Sequence, residues 1–328
     1  MTALNTPAPA RPATTPPPVP WRRLAWVSWR QYRTSAAGAV ALLGVLALYL
    51  VIMGLRIRGA YADAAACSLA APGKGCVGAF MLFDNDYFLI AETTAAALLA
   101  VPALTGVFAG APILARELDS GTFRFAWTQG AGRTRWTLAR LALPAVALTA
   151  AAAAFSQLFG WFFYPFFAGR EFAQASAFAP IYFTLTGIAF AAWALAAFAI
   201  GAVAGVLIRR VVPAMAAALA AWSGLLLATL LYLRQHYQAP LTARTGQTSL
   251  SSWVIGNWWT GPNGRRVTSE HQIIALLNGG VHPGYTQWAI YQPGTRYWHF
   301  QLIEGGWLLA LSLLLIAATI WIVRRRAA

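Results

Sequence analysis

Acidic residues and lysine are the scarcest chemistry in this sequence. Nine Asp and Glu stand against 24 basic residues, and Lys74 is the one lysine among them. Charged residues make up 10% of the 328 positions and hydrophobic ones 59%. That is too little polar material to coat a water-soluble globule of this length, so a soluble enzyme or binding domain is excluded and a polytopic membrane protein is expected. The formal net charge of +15 is not carried by Lys/Arg runs interleaved with polar residues. A nucleic-acid-binding domain is therefore excluded, and the charge reads as membrane topology. A phosphate-cradling loop of the form G-x-x-x-x-G-K-[ST] cannot be built on Lys74, which is followed by Gly75. The chain cannot hydrolyse ATP by that route.

Histidine and cysteine are sparse too. The four histidines, His236, His271, His282 and His299, show no H-E-x-x-H spacing, which favours solvated or hydrogen-bonded rings over a zinc site. No intramembrane Ser/His pair or carboxylate dyad appears either, which weighs against a membrane-embedded enzyme. Cys67 and Cys76 flank a Pro72-Gly73 turn signal and are expected to form a structural disulfide.

What the sequence does hold is six apolar segments long enough to cross hydrocarbon, at about 35–55, 87–115, 140–164, 180–208, 211–233 and 305–323. An even number puts both termini on one side. Assigning that side to the cytoplasm of a bacterial plasma membrane places Arg11, Arg22, Arg23, Arg30, Arg33, Arg116, Arg124, Arg133, Arg135, Arg140, Arg209, Arg210, Arg324, Arg325 and Arg326 inside. The expected fold is all-α, with a six-helix transmembrane domain over 35–328. External loops are expected at about 56–86 and 234–304, the second long, loop-rich and lying against the headgroups through Trp253, Trp258, Trp259, Trp288 and Trp298. Arg209-Arg210 alone joins the fourth and fifth spans, predicting a tight hairpin. Residues 1–20, rich in Pro, Ala and Thr, are expected to be a disordered cytoplasmic tail.

Residues 21–34 read as an amphipathic interfacial helix. Trp21, Leu24, Ala25, Ser28 and Tyr32 form one stripe, and Arg22, Arg23, Arg30 and Arg33 lie across from it, with Trp29 at the edge. A second charged stretch, ARELDSGTFRFAWTQGAGRTRWTLARL, starts at Ala115 between two spans. Asp119 and Ser120 are N-cap residue types, Phe123 and Trp127 share a helical face, Phe125 and Gln129 another, and Gly130 and Gly132 end the pattern. So short a helix is marginal in water and needs a surface to dock on, either a groove of a soluble partner or the headgroup layer.

Inside the membrane, Glu92 lies just over one turn into the second span, with Asp84 and Asp86 at its mouth. It is a candidate for a gate or for contact with a cationic substrate; the alternative is a carboxylate at headgroup level that reaches water. Pro102, Gly106, Gly110 and Pro112 on the same span fit either a bending gate or ordinary close helix packing. Gln157, with Phe155, Phe159, Trp161, Phe162 and Phe163 around it, offers an aromatic wall for a lipidic or amphiphilic solute.

These residues resemble the permease subunits of type-2, exporter-type ATP-binding-cassette transporters, particularly the form common in actinobacteria. The pattern R-E-x-x-x-G-T-x-R after the second span stands here as Arg116, Glu117, Gly121, Thr122 and Arg124. Trp127, Thr128, Gln129, Arg133, Arg135 and Trp136 are similar to the continuation of that segment, although the family often has Lys where Arg140 stands. WRQYR at 29–33 and QPGTRYWHFQLIE at 292–304 resemble the family's amphipathic first helix and its lead into the last span. The resemblance implies that 116–135 is a cytoplasmic coupling segment seated in an ATPase subunit that carries ATP and Mg, with no cofactor on this chain. It also implies paired permeases, identical or closely related, with the substrate path between them. A sensor or scaffold that docks a cytoplasmic partner without transport is the alternative.

Overall fold

A computed structural model of the chain describes residues 21–70, 74–121, 133–168, 176–249, 251–269, 273 and 284–326. In hydrocarbon every backbone N–H and C=O must find its partner inside the protein, so apolar segments of this length become helices. Six are long and apolar enough to cross a membrane: Ala37–Cys67, Gly78–Ser120, Thr134–Phe167, Gly187–Ile208, Val211–His236 and Gly294–Arg325. The chain is an all-α polytopic membrane protein, as its composition implies. One end of the bundle collects Arg116, Arg209, Arg210, Arg324 and Arg325 and is called the arginine end. The opposite end carries a small sheet.

Three expectations about the connections need correction. The loop expected at 56–86 is helical almost throughout, because α1 (Trp21–Ala70) continues past the first span and α2 starts at Lys74. No proline interrupts the chain between Arg56 and Ala70, and Tyr61 packs edge-on against Phe80 and Phe83, so the two helices support one another. Cys67 and Cys76 are bonded across the tip, with Cα atoms 5.5 Å apart. At the other end of α1 the amphipathic segment 21–34 runs into the first span without a break at Ser35. Arg30 and Arg33 are exposed, and the Arg30 guanidinium lies 5.4 Å from the Trp26 ring. The side chains of Trp21, Arg22, Arg23 and Trp29 fall outside the described ones.

The third correction concerns 234–304, which contains a three-stranded antiparallel sheet of order β1-β3-β2 rather than loops alone. Its strands are β1 (Leu241–Arg244), β2 (Trp253–Thr260) and β3 (Thr286–Gln292). Aromatic and β-branched residues fit a pleated, half-buried surface. Trp258 stands opposite Trp288 with rings 6.2 Å apart, and Arg266 and Arg244 cover their outer faces. Of the five tryptophans expected at the headgroups, Trp258 and Trp288 thus pack on each other, while Trp298 is exposed. Trp253, at the buried end of the sheet, joins Phe178 and Phe300 on the bundle.

The remaining helices are α3 (Ala111–Ser120), α4 (Arg133–Ala168), α5 (Pro180–Leu185), α6 (Gly187–Ile208), α7 (Val211–Ala228) and α8 (Tyr297–Arg326). A π-helical segment, Gly106–Gly110, joins α2 to α3, next to Pro112, which cannot donate to the helix ladder. Helix α6 is the hub, buried over most of its length between α3, α4, α7 and α8. Its approach to the second span is backbone to backbone. A Cβ on Gly106 would lie 2.6 Å from the carbonyl oxygen of Ala197, and one on Gly201 would overlap Gly106.

The segment expected as one continuous span at 180–208 is broken between α5 and α6, where Thr186 is extended and Gly187 has a φ of +64°. The fully buried Gln301 of α8 fills the gap. Its Nε2 donates to the carbonyls of Phe183 and Thr186, and its Oε1 accepts from the amides of Ile188 and Ala189, all at 2.9–3.1 Å. One turn along α8, Glu304 forms an ion pair with Arg234 at 2.6 Å, both side chains wholly buried. Glu304 also accepts from Trp193 and Tyr237, while Arg234 donates to the Pro180 carbonyl and to Thr184. Burial, and then the Glu304 carboxylate beside it, push the Tyr237 phenol well above its ordinary range, so Tyr237 stays a donor.

Replacing Gln301 by leucine orphans two amides and two carbonyls, so Gln301→Leu is expected to cost about 2–5 kcal/mol. Gln157→Leu, on an exposed face, should leave thermal unfolding in detergent nearly unchanged; equal shifts for the two variants would count against this role for Gln301. Maleimide should label Cys67 and Cys76 in unfolded protein only after reduction, and labelling without reductant would disprove the bridge.

Candidate functional site

Residues Arg116 to Arg135 form two helical arms around a linker. The first arm is α3. Ala115 to Ser120 contains no breaker, so the helix of the second span continues to Ser120 and closes on Gly121, which adopts the left-handed conformation at φ +71°. Asp119 and Ser120 are therefore in the last turn of that helix and are not N-caps of a following one. The Ser120 hydroxyl donates weakly to the Glu117 carbonyl. The second arm is the start of α4 at Arg133. Thr122, Phe123, Arg124, Trp127 and Gln129 lie outside the described residues, as do Phe125, Gly130 and Gly132 and the side chain of Arg133.

An ion pair braces the arms. The Arg140 Nη2 donates to the Glu117 Oε1 at 2.7 Å, and the side chains retain 7% and 20% of their exposure. The Arg140 guanidinium lies 5.5 Å from the centre of the Trp136 ring, and Trp136 is itself buried with Ile113, Leu114, Phe198 and Val206. A charge-assisted hydrogen bond shielded on both sides is stronger than an exposed ion pair. Arg140 is the partner in this candidate site that sequence reasoning missed, since it reads as the edge of the third span. The available signal was the isolated carboxylate of Glu117 at the mouth of the neighbouring one. Arg116 and Asp119 are exposed and Arg135 half-buried, so a charged rim surrounds the brace. Arg209, at φ +59°, and Arg210 form the two-residue turn from α6 to α7 expected at the same end.

The sheet end holds the other predicted residues. Glu92 is exposed on α2, and its Oε1 accepts a 2.7 Å hydrogen bond from the Tyr182 hydroxyl of α5. Asp86 is exposed nearer the tip of the same helix. Gln157 is separated from them. It points away from Phe159, Phe162 and Phe163, which are buried in the core, so the aromatic wall expected around it is not formed. Successive residues on a helix turn by 100°, and Phe159 and Gln157 fall on opposite sides of α4. Between α1 and α2 a shallow cleft is lined by Leu46, Tyr49, Thr93, Thr94, Ala97 and Leu98, with the Tyr49 and Thr94 hydroxyls 3.0 Å apart.

Histidine has no metal-like arrangement among the described residues. His236 meets the Tyr232 carbonyl through Nδ1, and His299 is exposed. His271 and His282 lie outside the described residues.

Neither a curated protein nor a solved structure is significantly similar to the chain. A family model described as "ABC-2 membrane transporter related" matches residues 40–234, which include the first five apolar helices, both braced arms and Glu92. A match over more than half of the chain, on a bundle of six membrane-length helices, places it: the protein belongs to the ABC-2 membrane transporter related family, whose members are membrane permease components of ABC transporters.

Proposed function

We propose that the chain is the permease subunit of an ATP-driven exporter that moves a hydrophobic or amphiphilic solute, such as a drug, antibiotic, peptide or lipid, out of a bacterial cell. A separate ATPase subunit, which carries ATP and Mg, docks on the linker between α3 and α4. The observation that carries this reading is the Glu117–Arg140 brace. It ties together the two arms from which the linker hangs, so a load on the linker reaches α3 and α4 as one unit. Helix α3 passes it to α6, because Gly205 lies against the Ala111 backbone. No P-loop can be built on this chain, so the nucleotide chemistry belongs to the partner.

Two features support the orientation. The arginine end matches the positive-inside rule, which supports placing it in the cytoplasm together with both termini. The Cys67–Cys76 bridge at the far tip belongs in an oxidising compartment. A further feature supports pairing with a second permease, identical or closely related. Asn85, Asp86, Glu92 and Thr93 are exposed beside Leu82 and Leu89 on the outer half of α2, and carboxylates there are costly against acyl chains but suited to a path between two copies.

Trp127→Ala is expected to weaken ATPase association by about 2 kcal/mol, about thirtyfold, as loss of a central aromatic anchor does. Gly121→Pro should abolish association by removing the left-handed turn, with membrane insertion retained in both variants. Co-purification with the ATPase subunit measures this, and undiminished recovery by both variants would refute the docking site. Glu117→Gln should uncouple ATP hydrolysis from transport, whereas the charge swap Glu117→Arg with Arg140→Glu should restore part of the coupling. Transport in purified vesicles without any ATPase would overturn the whole reading; association without transport would favour a sensor or scaffold.

A further inference from the structure

Glu92 is a carboxylate within a membrane-length helix, yet it forms no ion pair with any described residue. Its Oε1 is held by Tyr182, and its Oε2 has no hydrogen-bond partner among the described residues. Tyr182 is the opposite case, 6% exposed and fixed on every side. Its ring centre lies 4.4 Å from that of Phe163 and 5.8 Å, edge-on, from that of Phe167. The short helix that carries it is clamped by Arg234, which donates to the Pro180 carbonyl at 2.6 Å and to Thr184 at 2.8 Å. A rigid phenol therefore orients a carboxylate whose second oxygen faces outward. Beside Glu92, one turn to either side on the same face of α2, Leu89 and Ala96 are also exposed.

We propose that Glu92 and Tyr182 form a recognition site for the positive head of a hydrophobic cation, whose apolar body lies along the Leu89–Ala96 face of α2. Two physical arguments converge on this class. An unpaired carboxylate in a low-dielectric setting gains most from a cation and repels an anion. The cation that suits it is weakly hydrated, an ammonium or phosphonium with organic substituents, because a strongly hydrated ion would lose too much on entering an apolar face. The site names a substrate class for the proposed exporter and rests on that reading for its role in transport, but binding itself needs no ATPase.

The test uses the full-length chain in nanodiscs of zwitterionic lipid, with tetraphenylphosphonium as probe and tetraphenylborate, of the same shape and opposite charge, as control. Saturable binding of the cation is expected in the unaltered chain and not of the anion. Glu92→Gln should weaken it by about tenfold or more through loss of the charge, Glu92→Asp less, and Tyr182→Phe by a few-fold through loss of the orienting hydrogen bond. Glu92→Lys should exchange the preference in favour of the anion, a gain that misfolding cannot produce. Wild-type affinity in Glu92→Gln, equal binding of the two probes, or no saturable binding to the unaltered chain would each overturn the site. Loss of ATPase association with cation binding intact would instead count against the exporter reading and leave the site standing.

Discussion

A helix cannot simply stop inside a membrane, because the amides and carbonyls at the break have no water to bind. That constraint governs the sheet half of this protein. The apolar run 180–208 does break, at Thr186 just before the span Gly187–Ile208, and the buried Gln301 supplies both the donors and the acceptor that the break requires. The ion pair of Arg234 and Glu304 then holds the severed piece in place. Burying two charges is expensive unless the remaining donors and acceptors are satisfied. Here Trp193, Tyr237, Thr184 and the Pro180 carbonyl satisfy them. Because α5 is fixed, Tyr182 is fixed, and because Tyr182 is fixed, so is one oxygen of Glu92. Spans two, four, five and six are thus joined through polar contacts that would be too costly to leave half made.

The arginine half is organised differently. There the close contacts are between backbones, where Gly106, Gly110, Gly201 and Gly205 bring the second and fourth spans into van der Waals contact without intervening side chains. Dispersion at such proximity is stiff, and a displacement of one helix is carried to the other. The Glu117–Arg140 ion pair and the packing of Trp136 with Ile113 and Leu114 extend this body to the third span. The molecule therefore combines a packed lever at the arginine end with a hydrogen-bonded node at the sheet end, and α6 belongs to both.

Much of this was legible in the sequence where the signal is local. Six apolar runs, the Arg209-Arg210 turn and the Cys67–Cys76 bridge all follow from composition and short spacing, and all stand in the structure. The ends of helices were less legible, since hydrophobicity marks where lipid ends and not where a helix does. Continuous runs without proline carried α1 and α2 well beyond the hydrocarbon and placed Asp119 and Ser120 inside α3. The sheet was hidden because the same tryptophans that favour strands also favour headgroups. Least legible was the node. Gln301, Glu304 and Arg234 meet Thr186, Trp193 and Pro180 across roughly 50 to 120 positions, and a single polar residue near the edge of a span does not announce a partner so remote.

The π-helical segment at Gly106–Gly110 adds one residue to the second span without lengthening its path by a full turn. Each residue on a helix advances the azimuth by 100°, so this insertion resets the phase between the outer face that bears Glu92 and the inner arm that bears Glu117. Shortening the segment by one position would swing Glu117 about a quarter of a revolution away from Arg140 while leaving the apolar character of the span intact. The wide turn thus acts as an indexing step: it lets one continuous rod present Glu92 and Glu117 in directions that a uniform helix of this sequence could not reconcile.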